Sequence, residues 1–203
     1  MPSKTIYVPL LFLFFCSCNN NGTSSTFLTK TNTVIDIQPF DGITAAHADY
    51  VFNELKKNYP FINIKKPIAL PVTAYYPARK RYRADSLINY LSRLTIAGHK
   101  TLGLTNKDIS ATKNDVVDWG VMGLGFRPGK SCIASTYRLS IAQINIQLFK
   151  VAIHELGHTF GLPHCPIKYC FMRNAEGGNP TNEEKEFCTT CKVFLKYRGW
   201  ALN

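Results

Sequence analysis

At 203 residues, with 45% hydrophobic and 12% aromatic content, the chain is long enough to bury one sizeable core and too apolar for a disordered protein. Its net charge of +11 favours anionic surroundings without naming them. An exported chain without a nucleic-acid recognition motif makes nucleic acid a poor candidate partner.

The chain opens with Lys4 and the apolar run Ile6 to Phe15, the basic and hydrophobic parts of a secretory signal, too short to span a bilayer as a mature helix. Ser17-Cys18 then has the form of a bacterial lipoprotein cleavage site, with Cys18 as the lipidated first residue; an ordinary signal peptide with incidental cysteines, Cys16 among them, is the other reading. Residues 18–33 are rich in Asn, Ser, Thr and Gly and read as a polar tether. The expected organisation is therefore a lipoprotein signal over residues 1–17, the tether over 18–33 and one catalytic domain over 34–203. The expected location is extracytoplasmic, held to a bacterial membrane through Cys18; oligomeric state is left open. Removing residues 1–17 takes away only Lys4 and leaves +10.

Residues 45–58 carry Ala46, Tyr50, Val51 and Leu55 at helical spacing, and Pro60 marks the exit. Ile68 to Tyr76 reads as a strand between prolines. Lys65, Lys66, Arg79, Lys80, Arg81 and Arg83 concentrate part of the charge and read as a solvated face beside an anionic surface. A second amphipathic helix begins near Asp85 and carries Leu87, Ile88, Leu91 and Leu94. Thr101 to Thr105, Val116 to Phe126 and Cys132 to Leu139 read as three short strands, with Cys132 a small buried hydrophobe. His47 and His99 receive no role. Strand and helix alternate, so the fold class is α+β with a mixed sheet.

A third helix begins near Ile141. Gln143, Gln147, Lys150, His154 and His158 form one polar row along it, and the remaining surface is nearly all apolar, so the helix is expected to be buried with that row open to a cleft. The row ends in His154-Glu155-Leu156-Gly157-His158-Thr159-Phe160-Gly161-Leu162-Pro163-His164. Residues four apart stack on a helix, so His154 and His158 can bind one ion, while Glu155 points about 100° away, as a base beside the metal would. Gly161 can adopt the left-handed conformation that ends a helix and returns the chain, bringing His164 back as a third ligand. Three protein ligands leave a tetrahedral position for water, the pattern of a catalytic zinc site. Gly157 within the helix is unfavourable by about 1 kcal/mol relative to Ala, which argues for another segment packed closely there.

Extended in this way and followed by Met172, the motif resembles the metzincin metallopeptidases, whose long zinc-binding motif precedes a methionine turn. Cys165, Cys170 and the pair Cys188 and Cys191 narrow the resemblance to the archaemetzincins. It implies a metzincin-like zincin with a buried active-site helix and a small C-terminal zinc-stapled subdomain. It also implies His154, His158 and His164 on a catalytic zinc, Glu155 as base, and Cys165, Cys170, Cys188 and Cys191 on a structural zinc: two Zn2+ in all. From the residues alone, two disulfides are an equal use of four late cysteines in an exported chain.

The expected activity is peptide-bond hydrolysis by a zinc-activated water, with Glu155 as general base. By the same resemblance, an extended peptide or protein substrate would pair with an edge strand within Gly120 to Phe126. Tyr169 is a weak candidate for oxyanion stabilisation. The rival reading is a catalytically silent, zinc-bearing lipoprotein that binds a peptide or protein partner.

Overall fold

The computed structural model describes residues 32–203; the signal, Cys16, Cys18 and residues 18–31 of the tether lie outside them. The main sheet is mixed, as expected. Strand β1 (Val34–Pro39) lies between β2 (Ile62–Ile64) and β5 (His99–Thr105), both parallel to it. Beyond β5 comes β9 (Ser131–Ser135), also parallel, and the edge is taken by β8 (Gly123–Gly125), antiparallel to β9.

Side-chain alternation along these strands builds two cores. Ile35, Ile37, Leu102, Leu104, Cys132 and Ala134 face one of them, with helices α1 (Ala45–Asn58) and α3 (Ile144–Phe160). Ile133 faces the other, with helix α2 (Ala84–Leu94). Helix α1 starts where Thr44 accepts a hydrogen bond from the His47 amide at 3.3 Å. Its buried Ala48, Val51 and Leu55 fall three and four residues apart on one face. Leu87, Ile88 and Leu91 of α2 are fully buried, each contributing about 1.5–3 kcal/mol. Leu91 lies so close to β5 that a Cβ on Gly103 would stand 2.6 Å from its Cδ1.

Polar residues inside the sheet are tied to named partners. Asp36 on β1 is 1% exposed and holds Lys65 at 2.9 Å and His99 at 2.8 Å. Burial would raise its pKa, but the hydrogen bonds from Lys65, His99 and Asn63 outweigh that and hold it below the usual carboxylate range. Lys100 on β5 donates to the carbonyls of Gly129 at 2.6 Å and Thr159 at 2.8 Å. It thereby fastens the C-terminal end of α3 to the loop between β8 and β9.

A second sheet of four strands, β3 (Tyr75–Tyr76), β4 (Arg81–Arg83), β6 (Ile109–Lys113) and β7 (Val116–Val121), packs against α2. It corrects several expectations. Residues 68–76 are not one strand: Ile68 makes a single bridge to Phe40, and a 3-10 turn, Val72–Ala74, precedes the two residues of β3. Pro71 within the segment has no amide to give to a ladder. Residues 116–126 are two strands, broken at Met122, because β7 pairs with β6 while β8 leaves to join β9. The strand expected over 132–139 ends at Ser135, where the Leu139 amide bonds back to the Thr136 carbonyl. The basic stretch is largely neutralised within the fold: Arg79 and Arg81 pair with Asp118, Arg81 also with Asp108, and Arg83 with Asp85.

Beyond α3, helix α4 (Thr189–Lys196) follows directly on Cys188, its N-cap residue. Trp200 then anchors the C-terminal segment, its ring 5.3 Å from Tyr59, 5.4 Å from Phe160 and 5.8 Å from Phe187. Among the described residues no helix is long and apolar enough to cross a membrane.

Candidate metal centres and cleft

Helix α3 begins at Ile144, after a 3-10 turn, Ile141–Gln143, so the expected start at Ile141 is three residues early. Ile141 and Ile146 are exposed, and the apolar surface becomes continuous only from Leu148 onward. The polar row is also divided. Gln147 is buried under residues 179–182, bonding the Ser140 amide at 2.8 Å and Asn182 at 2.9 Å, whereas Lys150, His154 and His158 line an open cavity of about 850 Å³. That volume suits a peptide side chain and its neighbours.

Three imidazoles converge at the end of the row. The Nδ1 of His154 lies 2.6 Å from the Phe171 carbonyl, and that of His158 lies 2.8 Å from the Leu162 carbonyl. A carbonyl only accepts, so each Nδ1 carries the proton and each neutral ring turns an Nε2 lone pair toward the other. These two Nε2 atoms are 3.1 Å apart with no proton between them. That separation is close to the edge of about 3.3 Å expected when two nitrogens each sit about 2.0–2.1 Å from a tetrahedral zinc. The His164 ring centroid is 4.7 Å from that of His158 and 5.4 Å from that of His154. One nitrogen from each of the three falls within a 4.8 Å cluster.

The return of His164 follows from the helix end. Gly161 takes a φ of 109°, its amide bonds the His158 carbonyl at 2.9 Å, and the Leu162 amide bonds the Gly157 carbonyl at 3.0 Å, the two bonds of a Schellman motif. Below the helix Met172 is fully buried, and a Cβ on Gly157 would stand 2.4 Å from its sulfur. This is the close packing that the glycine implied.

Burial prepares the charges for a cation. It pushes His154 down to about 3 and His158 down to about 4, with the neighbouring imidazoles adding to the effect, and it lowers His164 as well. All three rings are therefore neutral and able to ligate near neutral pH. Glu155 is 7% exposed, and burial pushes its pKa up to about 8. A cation beside it would favour the carboxylate instead. The Glu155 side chain lies against β8: a Cβ on Gly123 would meet its Oε1 at 2.7 Å, and one on Gly125 would meet its Oε2 at 3.3 Å. Only a glycine strand can lie this low over the helix. The β8 segment falls inside the expected 120–126 and stands at the sheet edge.

The four late cysteines form a second cluster, with their sulfurs within 4.8 Å of one another, and all four are free. Cys165 and Cys188 are 3.6 Å apart, well beyond the roughly 2.05 Å of a disulfide. The distance is close to the edge of about 3.8 Å of a zinc tetrahedron with Zn–S bonds of about 2.3 Å. The Cys188 amide donates to the Cys170 sulfur at 3.3 Å. The Cys191 thiol, the Cys188 amide and their neighbours hold Cys170 down to about 5, while Cys191, sharing its proton with Cys170, is pushed up.

The two clusters share a scaffold. Cys165 follows His164 directly, its amide bonds the Met172 carbonyl at 2.8 Å, and the Phe171 carbonyl that orients His154 belongs to the residue after Cys170.

Tyr169 is 42% exposed and does not line the cavity. The residues that sequence reasoning missed are Lys113, Trp119, Arg127 and Arg138, which do line it. They lie in or beside strands far from the motif, and only topology brings them there. His47 bonds Asn145 at 2.6 Å and His99 bonds Asp36, both away from the cleft. Cys132 is fully buried, as expected.

The sequence pattern of peptidase family M54 matches residues 80–197. The archaemetzincin of Halobacterium salinarum is 28% identical over 172 residues, covering 78% of this chain and 96% of the relative. That of Nanoarchaeum equitans is 31% identical over 157 residues, covering 77% and 86%. The crystal structure of archaemetzincin from Methanopyrus kandleri superposes with a TM-score of 0.71 at 27% identity, covering 84% of this chain and 97% of that one. A family pattern spanning more than half the chain, and relatives matched over most of their own length, settle the kinship: the chain belongs to peptidase family M54, the archaemetzincins, and is a zinc metallopeptidase.

Proposed function

We propose that peptide bonds are cleaved at the His154, His158 and His164 cluster, with Glu155 as the general base. The observation that carries this is the pair of Nε2 atoms 3.1 Å apart, both freed by Nδ1 bonds to carbonyls, with the Glu155 carboxylate beside them on the same helix. The three histidines would hold a zinc ion, which when bound supplies Lewis acidity to polarise a carbonyl and acidify water. Glu155 takes the proton of the attacking water and returns it to the leaving amine. Its slot under Gly123 and Gly125 fixes the carboxylate and limits its access to bulk solvent. The free edge of β8 offers backbone groups to an extended peptide, which positions a scissile carbonyl over the histidines. The cysteines would hold a second zinc ion with a closed, structural role, since four thiolates leave no position for substrate.

Zinc-loaded protein should cleave members of a broad peptide library, lose that activity on chelation and regain it when zinc returns. Cleavage indifferent to the chelator contradicts the proposal.

The location proposed is a membrane surface, with lipid on Cys18, resting on Ser17-Cys18 after the apolar run. More than one acyl chain anchors firmly, since each buried methylene contributes about 0.8 kcal/mol. The full-length chain should fractionate with membranes, and Cys18→Ala should release it or leave it unprocessed. A soluble product with a mature N-terminus beyond residue 18 refutes the anchor.

A further inference from the structure

The charges lining the cleft are unequal in their commitments. Lys150 is spent on the carbonyls of Thr181 and Glu184, each at 2.6 Å. Arg138 is paired with Asp108 at 2.7 Å, and Arg173 with Glu183 at 2.8 Å. Arg127 differs: among the described residues its guanidinium makes no hydrogen bond and no ion pair, and it lines the same cavity as His158 and His164. Lys113, whose ammonium lies 4.9 Å over the Trp119 ring, has no carboxylate partner either. Both cations line the cavity that His158 and His164 open into.

Among the described residues no acidic side chain lining the cleft pairs with either cation: Glu176, exposed at the rim, forms no ion pair with Arg127 or Lys113. Glu155 is packed under β8, and Glu184 is 3% exposed. Asp108 and Asp118, which do not line the cavity, are already paired with arginines. Arg127 follows β8 by two residues, so a peptide laid along that edge runs directly past it. A guanidinium matches a carboxylate with two parallel hydrogen bonds, and a neighbouring lysine adds charge without shape.

We infer that Arg127, supported by Lys113, selects peptides carrying a carboxylate close to the scissile bond, supplied by an Asp or Glu side chain or by a nearby C-terminus. The inference rests on the peptidase reading only in taking the ligand to be a peptide. Arg127 is a specificity residue here and takes no part in proton transfer.

The test reads binding without turnover, in the zinc-loaded full chain carrying Glu155→Gln. The probes are fluorescent decapeptides of Ala and Ser with one Glu moved through successive positions, a matching Gln set, each with an amidated C-terminus, and shortened Gln peptides with a free one. The best Glu peptide should bind about tenfold more tightly than its Gln counterpart at low ionic strength, as expected for a charge-assisted hydrogen bond. The advantage should shrink at high salt, vanish on Arg127→Ala and turn against Glu on Arg127→Glu, while the Gln peptides keep their Kd. Should a free C-terminus carry the advantage instead, the carboxylate recognised is the terminal one, and the same substitutions must abolish it. Equal binding of charged and neutral peptides, or a preference that survives Arg127→Glu, overturns the inference. A chain that cleaves peptides without this preference refutes the inference and leaves the peptidase reading intact; one that shows it and cleaves nothing refutes only that reading.

Discussion

Glu155→Gln should lower peptide hydrolysis by about 10²- to 10⁴-fold while the histidine site keeps its zinc, because general acid–base catalysis typically contributes that much. The substitution is nearly isosteric, which matters in a slot where the side chain lies under Gly123 and Gly125 and is 7% exposed. The ligands are untouched: His154 and His158 remain oriented by the Phe171 and Leu162 carbonyls. His158→Ala should behave differently, losing the ion along with the activity. Rates must be compared between preparations of measured zinc content, because metal loss imitates loss of the base. A Gln variant that cleaves as fast as the parent at equal zinc content removes Glu155 from the mechanism.

Cys170→Ser should reduce the zinc content from two ions per chain to one and destabilise the C-terminal region severely. Structural zinc contributes about 10–16 kcal/mol in small zinc-binding peptides, against a total stability of about 5–15 kcal/mol for a typical domain. The effect should also reach the catalytic cluster. Cys170 precedes Phe171, whose carbonyl holds the His154 ring, and disturbing such an outer partner typically lowers metal affinity by 10–100-fold. Metal analysis together with thermal unfolding reads both effects. Finding one zinc in the unmutated chain, with cysteines that resist alkylation until a reductant is added, would show disulfides in place of the second ion.

The chemistry of this protein was legible where it is local. Three of five histidines lie within eleven residues, and helix geometry alone puts His154 and His158 on one face with Glu155 beside them. Gly161 and Gly157 were readable for the same reason: one ends a helix, and the other leaves a place that Met172 fills. Helices α1 and α2 were legible from their apolar spacing. The strands were less so. In β1 the sequence VIDIQP looks too polar for a central strand, because Asp36 and Gln38 are satisfied largely by partners that the fold supplies: Lys65, His99 and Asn63 for Asp36, and the Lys66 carbonyl for Gln38. The break at Met122 could not be read, since it arises where β8 leaves β7's sheet to lie over α3. Arg127 carried no local signal: in sequence it is a charged residue before a proline, and its place beside His164 is a product of topology.

The most direct test of the peptidase account is a mass-spectrometric digest of a proteome-derived peptide library by the unmutated chain, run on protein whose zinc content has been counted. The account predicts new N-termini that accumulate with time in proportion to the zinc-loaded histidine site and that the Glu155→Gln protein fails to generate. A fully zinc-loaded chain that generates none would contradict it.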